Sequence, residues 1–170
     1  MTEAIENLSG KTALVTGGSR SIGAAIAKRL AAAGAAVAIT YNQSPEKAAA
    51  VVTDIEKAGG HAIAIKADAG DPGAMRAAVA KTEETYGRFD ILVNNAGIAL
   101  GGAIEDIKFE DYERMVAVNV TGVFVATQEA ARRMKPGGRI IHIGSSMFRY
   151  AAIAAVHPDL WPIESFGIPA

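Results

Sequence analysis

One short stretch near the N-terminus constrains the fold more than any other part of the chain. The apolar run Ala13–Val15 is typical of a buried strand, and the small residues of Thr16–Ser21, called here the glycine turn, favour a sharp reversal. Beyond it, apolar residues recur four positions apart and indicate one face of a helix, at Ile22, Ile26 and Leu30. The stretch therefore predicts a strand, a tight turn and a helix in immediate succession.

The glycine turn has a composition suited to binding a phosphate. Gly17 lets the chain turn sharply, and Gly23, which lacks a Cβ atom, lets the helix begin close to the strand. In this geometry backbone N–H groups and the positive end of the helix face the anion. Ser21 stands where the usual fingerprint has its middle glycine, so we expect an intact turn with weaker affinity. The alternative is an ordinary strand-to-helix connection, and the rest of the chain decides between the two.

Length and composition limit the class of protein. A chain of 170 residues, half of them hydrophobic, predicts one domain with a sizeable core. The formal net charge of −1 favours neither nucleic acid nor a membrane surface as a partner, and no apolar run approaches the ~20 residues of a membrane span. With no cysteine and no metal-ligand spacing among its histidines, the sequence predicts no metal site. Acidic residues at the start of the chain are atypical of a signal peptide, so we expect a cytoplasmic protein.

Strand-like and helix-like segments alternate along the chain. Further strands are predicted at 37–40, 62–65, 89–93 and 139–143, with amphipathic segments between them. This alternation predicts the α/β class, with a doubly wound, three-layer parallel sheet of the Rossmann type. We assign that domain to residues 1–149, whereas residues 150–170 match no regular element and predict an irregular tail.

Small and polar residues follow the predicted strands. Ligands of such sheets bind at the carboxyl ends of the strands. The residues at these ends are the glycine turn, Tyr41–Asn42, Asp68, Asn94–Gly97 and Ser145–Ser146. Their convergence favours the phosphate-binding interpretation of the glycine turn.

The segment 109–134 predicts one long helix. Its valine-rich centre favours a strand by propensity, but its length and acidic start favour a helix, which we choose. Such a helix is apolar nearly all round and needs cover on two sides. The sheet covers one side, and a second copy of the chain is predicted to cover the other, which makes the protein a homo-oligomer through this helix.

Five ordered features of the chain resemble the short-chain dehydrogenase/reductase family, and most closely its 3-oxoacyl-carrier-protein reductases. The resemblance covers most of the chain, from about Gly10 to Ser146. The resemblance implies the strand order 3-2-1-4-5, incomplete at the C-terminal side, and hydride transfer between NAD(P) and a small-molecule carbonyl or alcohol. The features are Thr16–Gly23, Ala67–Asp68, Asn94–Gly97, Val118–Val120 and Ile141–Ser145.

The resemblance also implies the roles of individual residues. The glycine turn holds the cofactor's phosphates, Asp68 binds the adenine, and Asn95–Gly97 lets the backbone pass close to the ribose. Ser145 binds the substrate oxygen, and Asn119 binds a water in the proton relay. The complete set of predicted cofactor residues is Gly17, Ser19, Arg20, Ser21, Ile22, Gly23, Tyr41, Asn42, Asp68, Ala69, Asn95, Ala96 and Gly97.

The choice between NADP and NAD follows from charge. An NAD site usually places an acid after the second strand, where it binds the ribose hydroxyls and repels a 2′-phosphate. Here the second strand ends in Tyr41–Ser44, which contains no acid, and Arg20 in the glycine turn is able to pair with the 2′-phosphate. The sequence therefore predicts NADP as the cofactor, in preference to NAD.

One expected motif is absent from the sequence. The family's Tyr-x-x-x-Lys pair transfers the proton, the lysine lowering the pKa of the tyrosine. No lysine follows Lys135, two prolines oppose a helix in the expected region, and Tyr150 lies too close to Ser145 to take the role. We therefore expect a C-terminally truncated member, whose residues after about Ala151 are native or come from a shifted reading frame.

Two further functions stay open beside an NADP-dependent oxidoreductase. One is a protein that binds the cofactor but is catalytically inactive, and the other is an interaction module that pairs with a complete relative. The last predicted strand would be an apolar edge strand unless something covers it. Three apolar residues of the tail are candidates for that cover, Trp161, Ile163 and Phe166.

Overall fold

Five parallel strands form one sheet at the centre of the molecule. The computed structural model describes residues 7–144, and Ser145 and the predicted tail lie outside these residues. The strand order is β3-β2-β1-β4-β5, which confirms the predicted doubly wound α/β fold. The strands are β1 Thr12–Val15, β2 Ala36–Tyr41, β3 His61–Lys66, β4 Ile91–Asn94 and β5 Arg139–His142.

Helices cover both faces of the sheet and make the fold three-layered. One core contains residues of the first two helices, and the other contains residues of the third and fifth. The helices are α1 Ser21–Ala32, α2 Pro45–Lys57, α3 Pro72–Tyr86, α4 Phe109–Val116 and α5 Gly122–Arg133. A short 3-10 helix, Ile104–Asp106, precedes α4, and a π-helical turn, Ala117–Thr121, joins α4 to α5.

The central strand β1 joins the two cores. Successive side chains of a strand point to opposite faces. Ala13 and Val15 accordingly pack with α1 and α2, whereas Leu14 packs with α3 and α5. β1 pairs in parallel with β2 and β4, so that Val15 lies beside Ile39 and Val93. The carboxyl ends of three strands therefore meet at one edge of the sheet.

Only part of the apolar face that the spacing predicted for helix α1 is buried. Ile26 and Leu30 pack partly buried against the core, but Ile22 is 61% exposed. The buried residues of α1 are Gly23, Ala27 and Ala31. The helix begins so close to β1 that only small side chains fit between them, and the larger apolar residues flank this contact.

The segment 109–134 is helical but not one regular helix. The helical prediction is confirmed, and the strand alternative, which propensity favoured, is wrong. Between α4 and α5 the backbone widens into the π-helical turn that contains Asn119. Such a turn changes the direction in which the following side chains point, so that Val118 and Val125 are both buried.

The outward face of the same segment is apolar. Phe109, Val120 and Phe124 are 66%, 60% and 62% exposed, and Tyr112 lies beside Phe109 with ring centroids 5.7 Å apart. We call Phe109, Tyr112, Val120 and Phe124 the outer stripe. The predicted need for cover on a second side is thus present in the structure, while the homo-oligomer itself stays a prediction.

Strand β5 lies at one edge of the sheet. Within residues 7–144 it pairs only with β4, and Ile141 and Ile143 are 44% and 41% exposed. The expected apolar edge strand is therefore present in the described part of the chain. The residues predicted to cover it, Trp161, Ile163 and Phe166, lie outside that part.

One buried acidic residue, Asp90, joins the amino ends of three strands through its side chain and its backbone. Asp90 accepts hydrogen bonds from the Thr12 N–H at 2.9 Å and from two nitrogens of Arg88 at 2.6 Å each. Its carbonyl oxygen accepts from the N–H of Arg139 in β5 at 2.9 Å. Burial raises the pKa of Asp90, but the hydrogen bonds from Arg88 and Thr12 and the charges of Arg88 and Lys11 lower it below its usual value. The ionised form is therefore the one that stabilises the fold.

Asp90→Asn is expected to lower the free energy of unfolding by about 2 kcal/mol at neutral pH, because the amide cannot accept both Arg88 hydrogen bonds. The folded pKa lies below the unfolded one, so this stabilisation is present above about pH 4 and disappears as the pH falls through the folded pKa. Urea unfolding followed by circular dichroism at pH 7 and pH 3 measures the effect.

Asp54→Asn is the matched control, because the Asp54 carboxylate also pairs with a cation, Lys28, but on the surface. Exposed pairs contribute little to stability, and we expect no measurable change. An equal loss of stability in both variants, or a loss in Asp90→Asn that does not narrow at acid pH, would contradict the role given to Asp90.

Candidate functional site

A cleft of about 670 Å³ opens at the carboxyl edge of the sheet. All thirteen predicted cofactor residues line it, so the structure brings together segments that are up to eighty positions apart in the chain. They are Gly17, Ser19, Arg20, Ser21, Ile22, Gly23, Tyr41, Asn42, Asp68, Ala69, Asn95, Ala96 and Gly97. Of the two predicted catalytic residues, Ser145 lies outside the described residues and Asn119 is not part of the cleft lining.

The glycine turn is held against β2 by two hydrogen bonds. The N–H of Gly17 donates to Thr40 Oγ1, and the N–H of Gly18 donates to the Thr40 carbonyl oxygen, both at 3.0 Å. Gly17 has a φ of +66°, which glycine adopts without the steric cost that other residues incur. A Cβ atom at Gly23 would lie 2.5 Å from the Gly17 carbonyl oxygen and 2.5 Å from Asn95 Nδ2. The structure therefore has the sharp turn predicted at Gly17 and the close approach of the helix predicted at Gly23.

The end of β4 is joined to the same turn. Thr16 Oγ1 accepts hydrogen bonds from the backbone N–H groups of Asn95 at 3.0 Å and Ala96 at 2.9 Å. In return, Asn95 Nδ2 donates to the carbonyl oxygens of Thr16 at 2.9 Å and Gly17 at 3.2 Å. These four bonds fix the floor of the cleft where β1 and β4 end.

The first turn of α1 has the properties of an anion site. Arg20 precedes the helix in an extended conformation, no side chain caps the helix N-terminus, and the first turn contains no acidic residue. The first N–H groups of a helix have no partners within it and carry partial positive charge. An uncapped helix N-terminus that lines the cleft and has no acidic residue in its first turn suits a phosphate group.

The cleft is lined by side chains of both charges. Among the described residues that line it, Asp68 is the single carboxylate, and the cations are Arg20 and Arg114. Arg114 pairs with Asp68, whereas Arg20 is exposed, and the end of β2 contributes Tyr41 and Asn42 to the lining but no acid. The charged side chains that line the cleft therefore include one more cation than anion.

Asp68 accepts short hydrogen bonds from a side chain and from the backbone. Its Oδ1 atom accepts from Arg114 Nη2 at 2.7 Å and from the Gly70 N–H at 2.8 Å. The hydrogen bond from Arg114 lowers the pKa of Asp68, and those from the Gly70 N–H and the Asn42 side chain lower it further, against an opposing effect of burial. The carboxylate is therefore ionised and oriented at neutral pH.

The side chain of Asn119 is bound to the loop after β4. Its Oδ1 accepts from the Ile98 N–H at 2.9 Å, and its Nδ2 donates to the Ile98 carbonyl oxygen at 2.7 Å. Both ends of the amide are thus occupied by backbone, and Asn119 fixes Ile98 at the margin of the cleft. The predicted water in a proton relay stays a prediction.

Sequence reasoning missed several residues of the site. Thr40 lines it, and its place at the end of a predicted strand is the signal that identifies it. Thr16 belongs to the glycine turn, but the sequence does not reveal that its hydroxyl accepts from the backbone after β4. Arg114 and Val118 also line the cleft, but they come from the helical segment, where no motif points to the cofactor. The other missed lining residues are Gln43, Ser44, Ala67 and Ile98.

Comparison with known proteins identifies the family. The family model described as short chain dehydrogenase matches residues 11–156. The chain belongs to the short-chain dehydrogenase family. This confirms the resemblance drawn from the five sequence features.

Similar proteins include both sequences and solved structures. An oxidoreductase of Methylorubrum extorquens is 48% identical over 141 residues, covering 83% of this chain and 57% of the relative. A 3-oxoacyl-[acyl-carrier-protein] reductase of Synechocystis is 41% identical, over 81% of this chain and 57% of the relative. A short chain dehydrogenase of Burkholderia cenocepacia, solved in complex with NADP, is 55% identical with a TM-score of 0.84, over 86% of this chain and 60% of that one.

The chain spans little more than half the length of the curated relatives that it matches. Among the described residues, none of the helices combines the length and apolar character needed to cross a membrane.

Ser21→Gly is expected to raise the free energy of unfolding by about 1 kcal/mol. Ser21 has a φ of +48°, a left-handed conformation that disfavours residues with a Cβ atom. Glycine removes that strain, and this gain is larger than the stability lost because glycine has greater conformational freedom in the unfolded chain. Urea unfolding measures the difference. Ser19→Gly, at a neighbouring position without positive φ, should instead be neutral or slightly destabilising. A gain in both variants, or in neither, would refute the strain at Ser21.

Proposed function

We propose that this chain binds NADP(H) in the cleft and acts in an NADP-dependent oxidoreductase that interconverts a small-molecule carbonyl and an alcohol. Membership of the family supports an oxidoreductase. The observation that carries the preference for NADP is an exposed arginine, Arg20, in a cleft to which the end of β2 contributes no acid. We also propose that the protein is cytoplasmic.

Different residues of the cleft bind different parts of the proposed cofactor. The first turn of α1 and the glycine turn bind the pyrophosphate, and Arg20 pairs with the 2′-phosphate. Asn95–Gly97 lies close to the ribose, and Asp68 binds the base. The nicotinamide, when bound, supplies or accepts the hydride.

The nicotinamide end of the cleft lies toward β4 and β5. Ser145 directly follows β5 and Gly144 in the sequence, and we propose that its hydroxyl binds the substrate oxygen. Asn119 fixes the loop at Ile98 on this side of the cleft. The solved relative from Burkholderia cenocepacia was crystallised with NADP, which supports the same cofactor here.

Titration with NADPH and then NADH, followed by cofactor fluorescence, tests the proposal. The wild-type chain should bind NADPH about tenfold more tightly than NADH, since one charge-assisted contact to the 2′-phosphate contributes on the order of 1.5–3 kcal/mol. Arg20→Gln should remove most of the preference for NADPH. Asn42→Asp, added to Arg20→Gln, should reduce the preference further, because a carboxylate after β2 repels the 2′-phosphate.

Arg76→Gln is the control, since Arg76 is an exposed arginine of α3 that does not line the cleft. It should leave both affinities unchanged. Wild-type protein that binds neither cofactor would exclude the proposed function. Equal affinity for NADPH and NADH would exclude the preference for NADP alone. Ketones are then added to the NADPH complex. Oxidation of NADPH would show an active enzyme, whereas no oxidation would show a chain that binds the cofactor without turnover.

We further propose that two copies associate through the outer stripe. Val120→Lys combined with Phe124→Lys should give a monomer by light scattering where the wild type is an oligomer, because two buried charges oppose an apolar interface. The exposed position of both side chains leaves the fold intact. Ala77→Lys, on the exposed surface of α3, should not change the mass. A wild type that is monomeric, or a double variant that still associates, would refute this interface.

A further inference from the structure

We infer that Arg114 is a positioning residue, which orients the Asp68 carboxylate toward the exocyclic amine of the adenine and so gives the cleft its preference for that base. The inference rests on the proposed function, because it assumes that the cleft holds a dinucleotide. It assigns a task to a residue of the helical segment that the site motifs do not include.

The contacts of Asp68 are directional. The hydrogen bonds from Arg114 Nη2 and from the Gly70 N–H both reach Oδ1, at 2.7 and 2.8 Å. Two hydrogen bonds to one oxygen, one of them from a charged guanidinium, restrict the rotation of the carboxylate. The Asn42 side chain adds a weaker hydrogen bond, and the inference assigns Oδ2 to the ligand.

The position of Asp68 within the cleft indicates which part of the ligand it meets. The glycine turn, which follows β1, marks the phosphates, and its Arg20 marks the 2′-phosphate of the adenosine ribose. Asp68 follows β3, one strand further out in the sheet, so it lies on the adenosine side, beyond the ribose. A carboxylate there accepts from the amine of adenine, whereas it would face the carbonyl oxygen of hypoxanthine at the same ring position.

The pair between Arg114 and Asp68 contributes little to the stability of the fold. The two side chains are 43% and 36% exposed, and ion pairs of that exposure are weak in water. The pair joins α4 to the loop between β3 and α3, and both of its residues line the cleft. Its main consequence is therefore the orientation of a ligand-facing carboxylate.

The test compares NADPH with its hypoxanthine analogue, in which a carbonyl replaces the 6-amino group of adenine. Dissociation constants of the 170-residue chain are measured by fluorescence for the wild type, Arg114→Met, Asp68→Ala and the double variant. We expect the wild type to bind NADPH about tenfold more tightly than the analogue, as one charge-assisted hydrogen bond is able to discriminate. Arg114→Met should reduce the ratio to within about threefold. Asp68→Ala should abolish it, and in that background Arg114→Met should change the ratio no further.

Three further variants of exposed arginines serve as alternatives and controls. Arg114→Gln is a second substitution of the same residue, to be used if Arg114→Met does not fold by circular dichroism. Arg114→Lys keeps the charge without the fork and should restore only part of the preference. Arg76→Met is the control for loss of an exposed arginine and should leave the ratio at its wild-type value.

Several outcomes would overturn the inference while leaving the proposed function intact. These are a wild type without base preference, an unchanged ratio in Arg114→Met, or an equal loss of affinity for NADPH and the analogue. A loss for NADPH without a loss for NADH would place the guanidinium on the 2′-phosphate and would also overturn it. A wild type that binds neither NADPH nor NADH would refute the proposed function, and the inference with it.

Discussion

The close approach of α1 to the turn before it is the constraint on which the site depends. A side chain at Gly23 would collide with the Gly17 carbonyl oxygen and with Asn95 Nδ2, both 2.5 Å from the place of its Cβ atom. Because Gly23 has no side chain, Asn95 is able to donate to the backbone of the turn and so to join β4 to β1. The same absence brings the N-terminus of α1 to the edge of the sheet. Packing and anion binding thus have one cause.

Hydrogen bonds then convert that close approach into a fixed surface. Thr16 and Thr40 accept from backbone N–H groups on either side of the turn, so the ends of β1, β2 and β4 cannot move independently. Threonine suits this task, since its β-branched side chain favours strands and its hydroxyl accepts a hydrogen bond. Hydrogen bonds within the protein therefore hold the shape of the cleft.

The sequence was sufficient for the strands, their order through the resemblance, and the lining of the cleft, because local patterns determine these features. Buried parallel strands are short apolar runs, and ligand residues of such sheets follow the strand ends. It was insufficient where the determining contact is tertiary. The spacing of Ile22, Ile26 and Leu30 describes a helix but does not reveal that β1 excludes large residues from the nearest face. Arg114 carries no signal at all, because its partner Asp68 lies 46 positions earlier.

The π-helical turn explains how the helical segment serves two surfaces. A regular helix through 109–134 would carry one apolar face in a nearly straight line, and the residues before and after Asn119 would compete for the sheet. One widened turn places Val118 in the core and Asn119 against the Ile98 backbone. Val120 and Phe124 are left outward, at 60% and 62% exposed, while Arg114, one turn before Val118, reaches Asp68. The segment therefore contributes side chains both to the cleft and to the outer stripe.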